Sequence, residues 1–554
     1  MTAQPDGVTG TRNAVAAAEQ EPVVADGLRA QPRHRRAAEP TVTPPSRVLH
    51  WARRHRTGLC LTGVLLAGAV LRLVNLDSLG FNSDEAVYAG QAASLAGNSH
   101  YVGTFPVFRA HPMLVQSLLS LFLRSGEHDV VGRVVIACIG VLTLYLVHRL
   151  GVELYSPRVG VLAAAIVAVM PYHVVVTRQV LLDGPMVFCS TLTLLCVTKF
   201  AKTGRLTWML AAGVALGLTM LAKESGVVLA GAIYAFFALT PAVRRPVVGT
   251  VLGLTMTAGV FALHPISVAL SGHVSTTKAY LVWQLVRRPN HSFLFYLQTV
   301  PAAVGPMVLF AALIAVFMVW RRRQPAWREI LLVSWVAVPT AAFTMWPVKG
   351  FQYLLPCAPA LALLAAQGLR SLGGGQLSAA VSSRLPARLR SPELLASFAV
   401  ALVLGSLLVA TLPRVSPDPT ASGLAGSGGI PGGRETGKWL NAHTPRGTVV
   451  MTLGPSMANI IEYYGHRKAY GVSVSPNPLH RNPSYEPIPN PDYALRHGDM
   501  QYIVWDVWSA RRSQHFSEAL MGLERRFHGH PVHTEYIGSG SERRPAIVVY
   551  EVRA

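Results

Sequence analysis

The sequence predicts a polytopic α-helical membrane protein with a C-terminal soluble α/β domain. Three observations carry that reading. Of 554 residues, 51% are hydrophobic and only 14% are charged, against about 25% charged in a soluble domain. Eleven apolar runs fall at 57–76, 130–149, 159–177, 184–200, 206–222, 225–241, 247–264, 301–320, 329–346, 351–369 and 393–412. The first of them is long enough to cross the ~30 Å hydrocarbon layer. After the last run the chain turns rich in Pro, Gly and Ser over 413–433, the composition of a linker.

The elements follow in order. Residues 1–56 are rich in Ala, Pro, Arg and Glu without apolar periodicity, so a disordered basic tail is expected. No apolar core lies near Met1, so this is not read as a signal peptide. Arg53, Arg54 and Arg56 precede the first span and should hold the N-terminus in the cytoplasm. With eleven crossings the C-terminus is then extracytoplasmic. The alternate loops support this sense: Arg149 and Arg158, then Lys199, Lys202 and Arg205, then Arg321, Arg322 and Arg323 all fall on the cytoplasmic side. The net charge of +22 therefore reads as membrane topology and not as a nucleic-acid surface, because the cations sit between apolar runs. The five cysteines, Cys60, Cys138, Cys189, Cys196 and Cys357, fall in or beside apolar runs without metal-ligand spacing and read as small buried hydrophobes. Pro171, Pro185 and Pro356 are expected to break or shorten spans.

Two outer segments are long, 77–129 and 265–300, and 86–124 holds apolar stretches too short to span, which suit helices lying along the interface. Asp84 and Glu85 stand where the first span emerges into water. Asn82 or Ser83 is placed to cap a helix over 86–95, whose dipole favours acids in its first turn. A capped helix start is also a rigid support for a functional carboxylate. Three further polar groups lie on the same outer side: Arg109 with His111 and Pro112; Arg178 with Asp183; and Lys349 with Tyr353 and Pro356. Each has a plain reading, Asp183 as a cap and Lys349 as a snorkelling cation. Charges near the ends of apolar spans are costly unless paired or wet, so several on one side suggest one shared polar site.

In order and placement these pieces resemble the GT-C membrane glycosyltransferases, in particular glycosyltransferase family 39, the protein O-mannosyltransferases and lipid A aminoarabinose transferases. The matching residues are Asp84 and Glu85 after the first span, His111-Pro112 in the same loop, Arg178 to Asp183 before the fourth span, and Tyr353 to Pro356 at a late span. The resemblance covers roughly 57–370 and implies a GT-C-type transmembrane catalytic domain over 57–412. It implies inverting transfer of a sugar from a polyprenyl-phosphate donor to an acceptor hydroxyl at the outer face of the cytoplasmic membrane. An acceptor hydroxyl must lose a proton as it attacks, which calls for a carboxylate base. Asp84 is the expected base, with Glu85 orienting it or a helix terminus. Asp183 is left between holding the acceptor, sharing the base role and ligating a metal. The leaving lipid phosphate needs cations or hydroxyl donors, with Tyr353 and Lys349 first, then Arg178, His111 and Arg109. The aminoarabinose transferases carry Glu-Lys-Pro where this chain has Ala110-His111-Pro112, which leaves His111 between metal and phosphate. The resemblance fixes no cofactor but allows a divalent cation, which would take Asp84, Asp183 and His111. Lys223 beside Glu224 reads as a local pair.

Residues 434–554 predict a small extracytoplasmic α/β domain, with strands over 448–453, 502–507 and 546–552 and helices over 435–441 and 516–527. A proline-rich stretch over 477–492 shows little apolar pattern. The domain contains no recognisable triad, zinc set or phosphate loop, and reads as an outer cap that helps choose the acceptor. The expected partners are the polyprenyl-phosphate sugar, membrane lipid and an acceptor protein, glycan or lipid, and no nucleic acid. A transporter, which would show repeated halves and midplane charges, and a non-catalytic envelope scaffold or receptor remain the alternatives, beside an enzyme moving a whole glycan.

Overall fold

The computed structural model describes residues 54–107, 111–124, 129–243, 247–321, 327–372, 391–416 and 429–553. The tail over 1–53, Arg109 and most of the 413–433 linker lie outside the described residues. Residues His55–Ala554 form one compact unit.

Every apolar run is helical. Among the described residues seven helices are long and apolar enough to cross a membrane: Arg56–Leu73, Asp129–Leu154, Asp183–Thr203, Val247–Leu270, Trp327–Met345, Phe351–Leu372 and Glu393–Val415. An eighth crossing arises if Phe295–Val304 and Pro306–Val319 are taken together across their 98° bend. The runs at Pro157–Val169, Leu206–Ala222 and Glu224–Leu239 are shorter apolar helices. The bend falls at Gly305, whose φ of 96° is open to glycine alone without strain, followed by Pro306, which supplies no backbone N–H. Pro171 divides its run into Pro157–Val169 and Pro171–Val176. Pro185 breaks nothing, contrary to expectation. It sits in the first turn of Asp183–Thr203, where an N–H has no intrahelical partner to lose. Cys189, Cys196 and Cys357 are buried as expected, whereas Cys60 and Cys138 lie on outward helix faces.

Eight helices position the site and its surroundings: α1 (Arg56–Leu73), α2 (Ser83–Leu95), α3 (Asp129–Leu154), α4 (Asp183–Thr203), α5 (Leu206–Ala222), α6 (Val274–Val286), α7 (Gly433–His443) and α8 (Pro455–Gly465). The C-terminal part is built on five strands, β1 (Val449–Thr452), β2 (Lys468–Gly471), β3 (Tyr502–Asp506), β4 (His530–Ile537) and β5 (Arg544–Glu551), in the order β2-β1-β3-β5-β4. β1 pairs in parallel with β2 and β3, and Met451 lies beside Tyr470 and Ile503. β5 runs antiparallel between β3 and β4. The inner strands are continuous apolar runs, as a sheet covered on both faces requires: Val450, Met451, Ile503, Val504 and Val549 are fully buried. β2, β4 and α8 are not legible as elements in the sequence. β2 is four residues long, and β4 is an edge strand with Pro531 at a bulge and polar residues throughout.

The sheet is not a detached cap. Met457, Ile460, Tyr463 and Tyr464 of α8 share one hydrophobic core with Phe81, Ala86, Ala89, Tyr101 and Phe105 around α2. Phe81 and Tyr463 rings are 5.1 Å apart, and Tyr101 and Tyr463 rings 5.2 Å.

Candidate active site

The first turn of α2 carries the two acids, and local chemistry gives them opposite fates. Asn82 caps α2: its side chain accepts from the N–H groups of Asp84 and Glu85 at 2.9 and 3.0 Å. Glu85 reaches back to the N–H of Asn82 at 3.1 Å, closing a capping box. Glu85 points inward and is fully buried. There Arg133 of α3 donates to it twice, at 2.8 and 2.7 Å, and Val180 N–H donates at 3.0 Å. The same guanidinium donates to the carbonyls of Leu76, Leu79 and Gly80. Glu85 and Arg133 thus hold the loop.

Asp84, one residue earlier, points the other way, into an open polar cavity of about 470 Å³. No hydrogen bond or ion pair among the described residues engages its carboxylate. Asp84 is exposed to solvent and lines the cavity. The enclosing walls raise its pKa by desolvation, while Lys223 and His111 pull it the other way.

Around Asp84 the cavity wall is made by Tyr88, His111, Lys223, Glu224, Tyr280, Arg287 and Tyr353 from the helical part. Lys223 follows α5 in an extended conformation, which turns it and Glu224 to different partners. The expected pairing of these neighbours does not form. Lys223 Nζ instead donates to both oxygens of Asp183 at 2.9 Å and lies 5.1 Å from the centre of the Tyr353 ring. Glu224 lies 2.9 Å from Nδ1 of His111, whose ring also meets Tyr88 and Tyr280 edge-on. Arg287, just past α6, stacks on Trp283 with its guanidinium 4.3 Å from the ring centre. Among the described residues no carboxylate pairs with it.

The sequence-derived candidates therefore divide. Asp84, His111 and Tyr353 line one cavity, and Asp183 stands behind it, joined through Lys223. Lys349 and Arg178 lie elsewhere. Lys349 is buried, its backbone clasped by Asn290 and its ammonium on the Trp346 carbonyl. Arg178 donates to the carbonyls of Leu71, Asn75 and Val415, joining the end of α1 to a distant helix end. Those carbonyls would otherwise be orphaned at helix termini. Arg109 lies outside the described residues. A metal set is not assembled either: Asp183 is taken by Lys223 and His111 by Glu224. Among the described residues no three His, Cys, Asp or Glu side chains converge.

The other wall has no counterpart among the sequence-derived candidates. Ser473, Ser475, His480, Arg481, Asn482 and Tyr485, from the segment after β2, close the cavity opposite Asp84. The proline-rich stretch thus belongs to the site. A second, apolar cavity of about 460 Å³ adjoins it and shares Trp283 and Arg481.

A family model described as dolichyl-phosphate-mannose-protein mannosyltransferase matches residues 110–271. No curated protein matches by sequence. Among solved structures, ArnT from Cupriavidus metallidurans bound to undecaprenyl phosphate is similar with a TM-score of 0.59 at 16% identity, covering 91% of this chain and 98% of that one. The oligosaccharyltransferase AglB from Archaeoglobus fulgidus, in complex with an inhibitory peptide and a dolichol-phosphate, is similar with a TM-score of 0.56 at 15% identity, covering 90% and 74%. At these identities the likeness is one of fold. The protein is a multi-pass membrane protein with the fold of the GT-C glycosyltransferases, as the ordered motifs predict.

Proposed function

We propose that the protein transfers a sugar, with inversion, from a polyprenyl-phosphate donor to an acceptor hydroxyl at the outer face of the cytoplasmic membrane. The observation that carries this is Asp84: a carboxylate without a partner among the described residues, on a rigid helix start, facing Arg287 and Tyr353 across one cavity. In this reading the acceptor oxygen bonds to the anomeric carbon as the bond from that carbon to the phosphate oxygen breaks. Asp84 takes the hydroxyl proton. The raised pKa makes its carboxylate a stronger base than an ordinary aspartate. The departing lipid phosphate gains charge, which Arg287 and the Tyr353 hydroxyl are placed to meet. Lys223 holds Asp183 and adds positive potential behind Tyr353. The eleven crossings expected from the sequence would put the C-terminal sheet on this side of the membrane.

The lipid-phosphate carriers bound by ArnT and AglB support a lipid-linked donor. The sugar and acceptor are approached by experiment: purified protein in lipid is given a panel of polyprenyl-phosphate sugars, with native membrane extract as acceptor source, with and without a chelator. Consumption of one donor with release of polyprenyl phosphate is the expected result, and the chelator arm tests a divalent cation. No consumption of any donor, even with the extract, would remove the transferase reading and bring the scaffold forward.

A further inference from the structure

The loop that presents Asp84 is held from two sides, and the second side is the C-terminal part of the chain. Tyr464 of α8 is the centre of that contact. Its hydroxyl accepts from Phe81 N–H at 2.7 Å and donates to Asp129 Oδ2 at 2.5 Å. Arg434 of α7 donates to the Asp77 carboxylate at 2.5 Å and to the Asp77 carbonyl at 2.8 Å, and reaches Asp129 at 3.3 Å. Asn459 of α8 donates to Ser83 Oγ at 2.9 Å and to the Tyr485 hydroxyl at 3.2 Å. Ser83 is the residue before Asp84, and Tyr485 lines the opposite cavity wall. Asn459 therefore joins the two walls through one amide.

The bonds of Tyr464 and Asn459 lie in buried or half-buried surroundings, where an unmade one is expensive. Packing alone would hold the loop near its place. Two bonds at Phe81 and Ser83, on either side of the Asn82 cap, go further and fix the direction in which α2 starts. A displacement of about 1 Å at a reacting group costs on the order of 10²-fold in rate.

We propose that Tyr464 and Asn459 are positioning residues for Asp84, making the C-terminal part a working component of the catalytic apparatus. This rests on the transfer reading above. Asp84 meets the substrate; Tyr464 and Asn459 act only through the loop and through Tyr485. The hydroxyl of Tyr464 is separable from its ring, since Tyr464→Phe keeps the contacts with Phe81 and Tyr463 and removes both hydrogen bonds.

The test measures kcat and donor KM for Tyr464→Phe and Asn459→Ala in the full chain, each in the wild-type and the Asp84→Asn background. The expected result is a kcat lower by roughly 10- to 100-fold with donor KM within about twofold in the wild-type background. In the Asp84→Asn background each change should cost under about twofold, because residues acting through one group are not additive. Wild-type kcat for both variants overturns the proposal. So does an equal loss in both backgrounds, which marks general damage, or a rise in KM alone. Asn459→Ala keeps the test open if Tyr464→Phe does not fold. If Asp84→Asn itself retains wild-type activity, the transfer reading loses its base, a result distinct from any outcome at Tyr464.

Discussion

Asp84 and Glu85 are neighbours with opposite tasks, and the difference is one of partners. Glu85 is buried with a guanidinium, a backbone N–H and the cap around it. Removing its cation leaves a buried charge unpaired, at a cost of about 3–5 kcal/mol. Arg133→Met is therefore expected to lower thermal stability sharply in detergent, and unchanged melting would contradict the role given to this pair. Asp84 has no hydrogen-bonded or ion-pair partner for its carboxylate among the described residues. Its pKa is raised, so its proton is held more tightly folded than unfolded, and ionisation near neutral pH costs stability. Activity should need the ionised form. The acidic limb of the kcat/KM profile is expected above the ~3.9 of an ordinary aspartate. A limb at or below that value would contradict the assignment. The two acids are visible together in the sequence because they follow an apolar run. Which one faces the cavity is not, since that depends on Arg133, some fifty positions away. Lys223 is similarly half visible: its charge stands out between two apolar helices, but its partner Asp183 is distant in the chain and Glu224 is adjacent.

At the scale of elements, periodicity and turn chemistry are enough for the helices, because an apolar run in lipid has few ways to satisfy its backbone other than a helix. They are not enough for the loop before α2. Gly80 lies where the α1–α2 loop meets α7 and α8. A Cβ there would stand 2.7 Å from the Cβ of Arg434 and 3.3 Å from the Tyr464 hydroxyl. Gly80→Ala is expected to push these elements apart, costing about 1–3 kcal/mol of stability, together with part of the activity as Asp84 shifts. A variant with both quantities at wild-type levels would show that this contact is loose. The proline-rich wall over 473–485 is illegible for a related reason. It carries no period, and its meaning comes from contacts such as that of Tyr485 with Asn459, which in turn bonds Ser83 at 376 positions' separation.

For the molecule as a whole, the helical part and the C-terminal sheet form one unit with a shared core and a shared cavity. The helical part supplies Asp84, Lys223 and Arg287, and the C-terminal part supplies a wall that carries His480 and Arg481. Charge is distributed to match. Cations accumulate between apolar helices, while the cavity holds a carboxylate without a partner and a guanidinium without a countercharge among the described residues. Such an arrangement suits a reaction in which a proton is removed on one side and a phosphate charge appears on the other.

The most direct test of this account follows polyprenyl phosphate released from its sugar-bearing form by purified protein in lipid with membrane-derived acceptor, comparing wild type with Asp84→Asn. Release by wild type, reduced by at least about 10²-fold in the variant while the variant melts at or above the wild-type temperature, is the expected result. Equal release by both proteins would contradict the central role of Asp84.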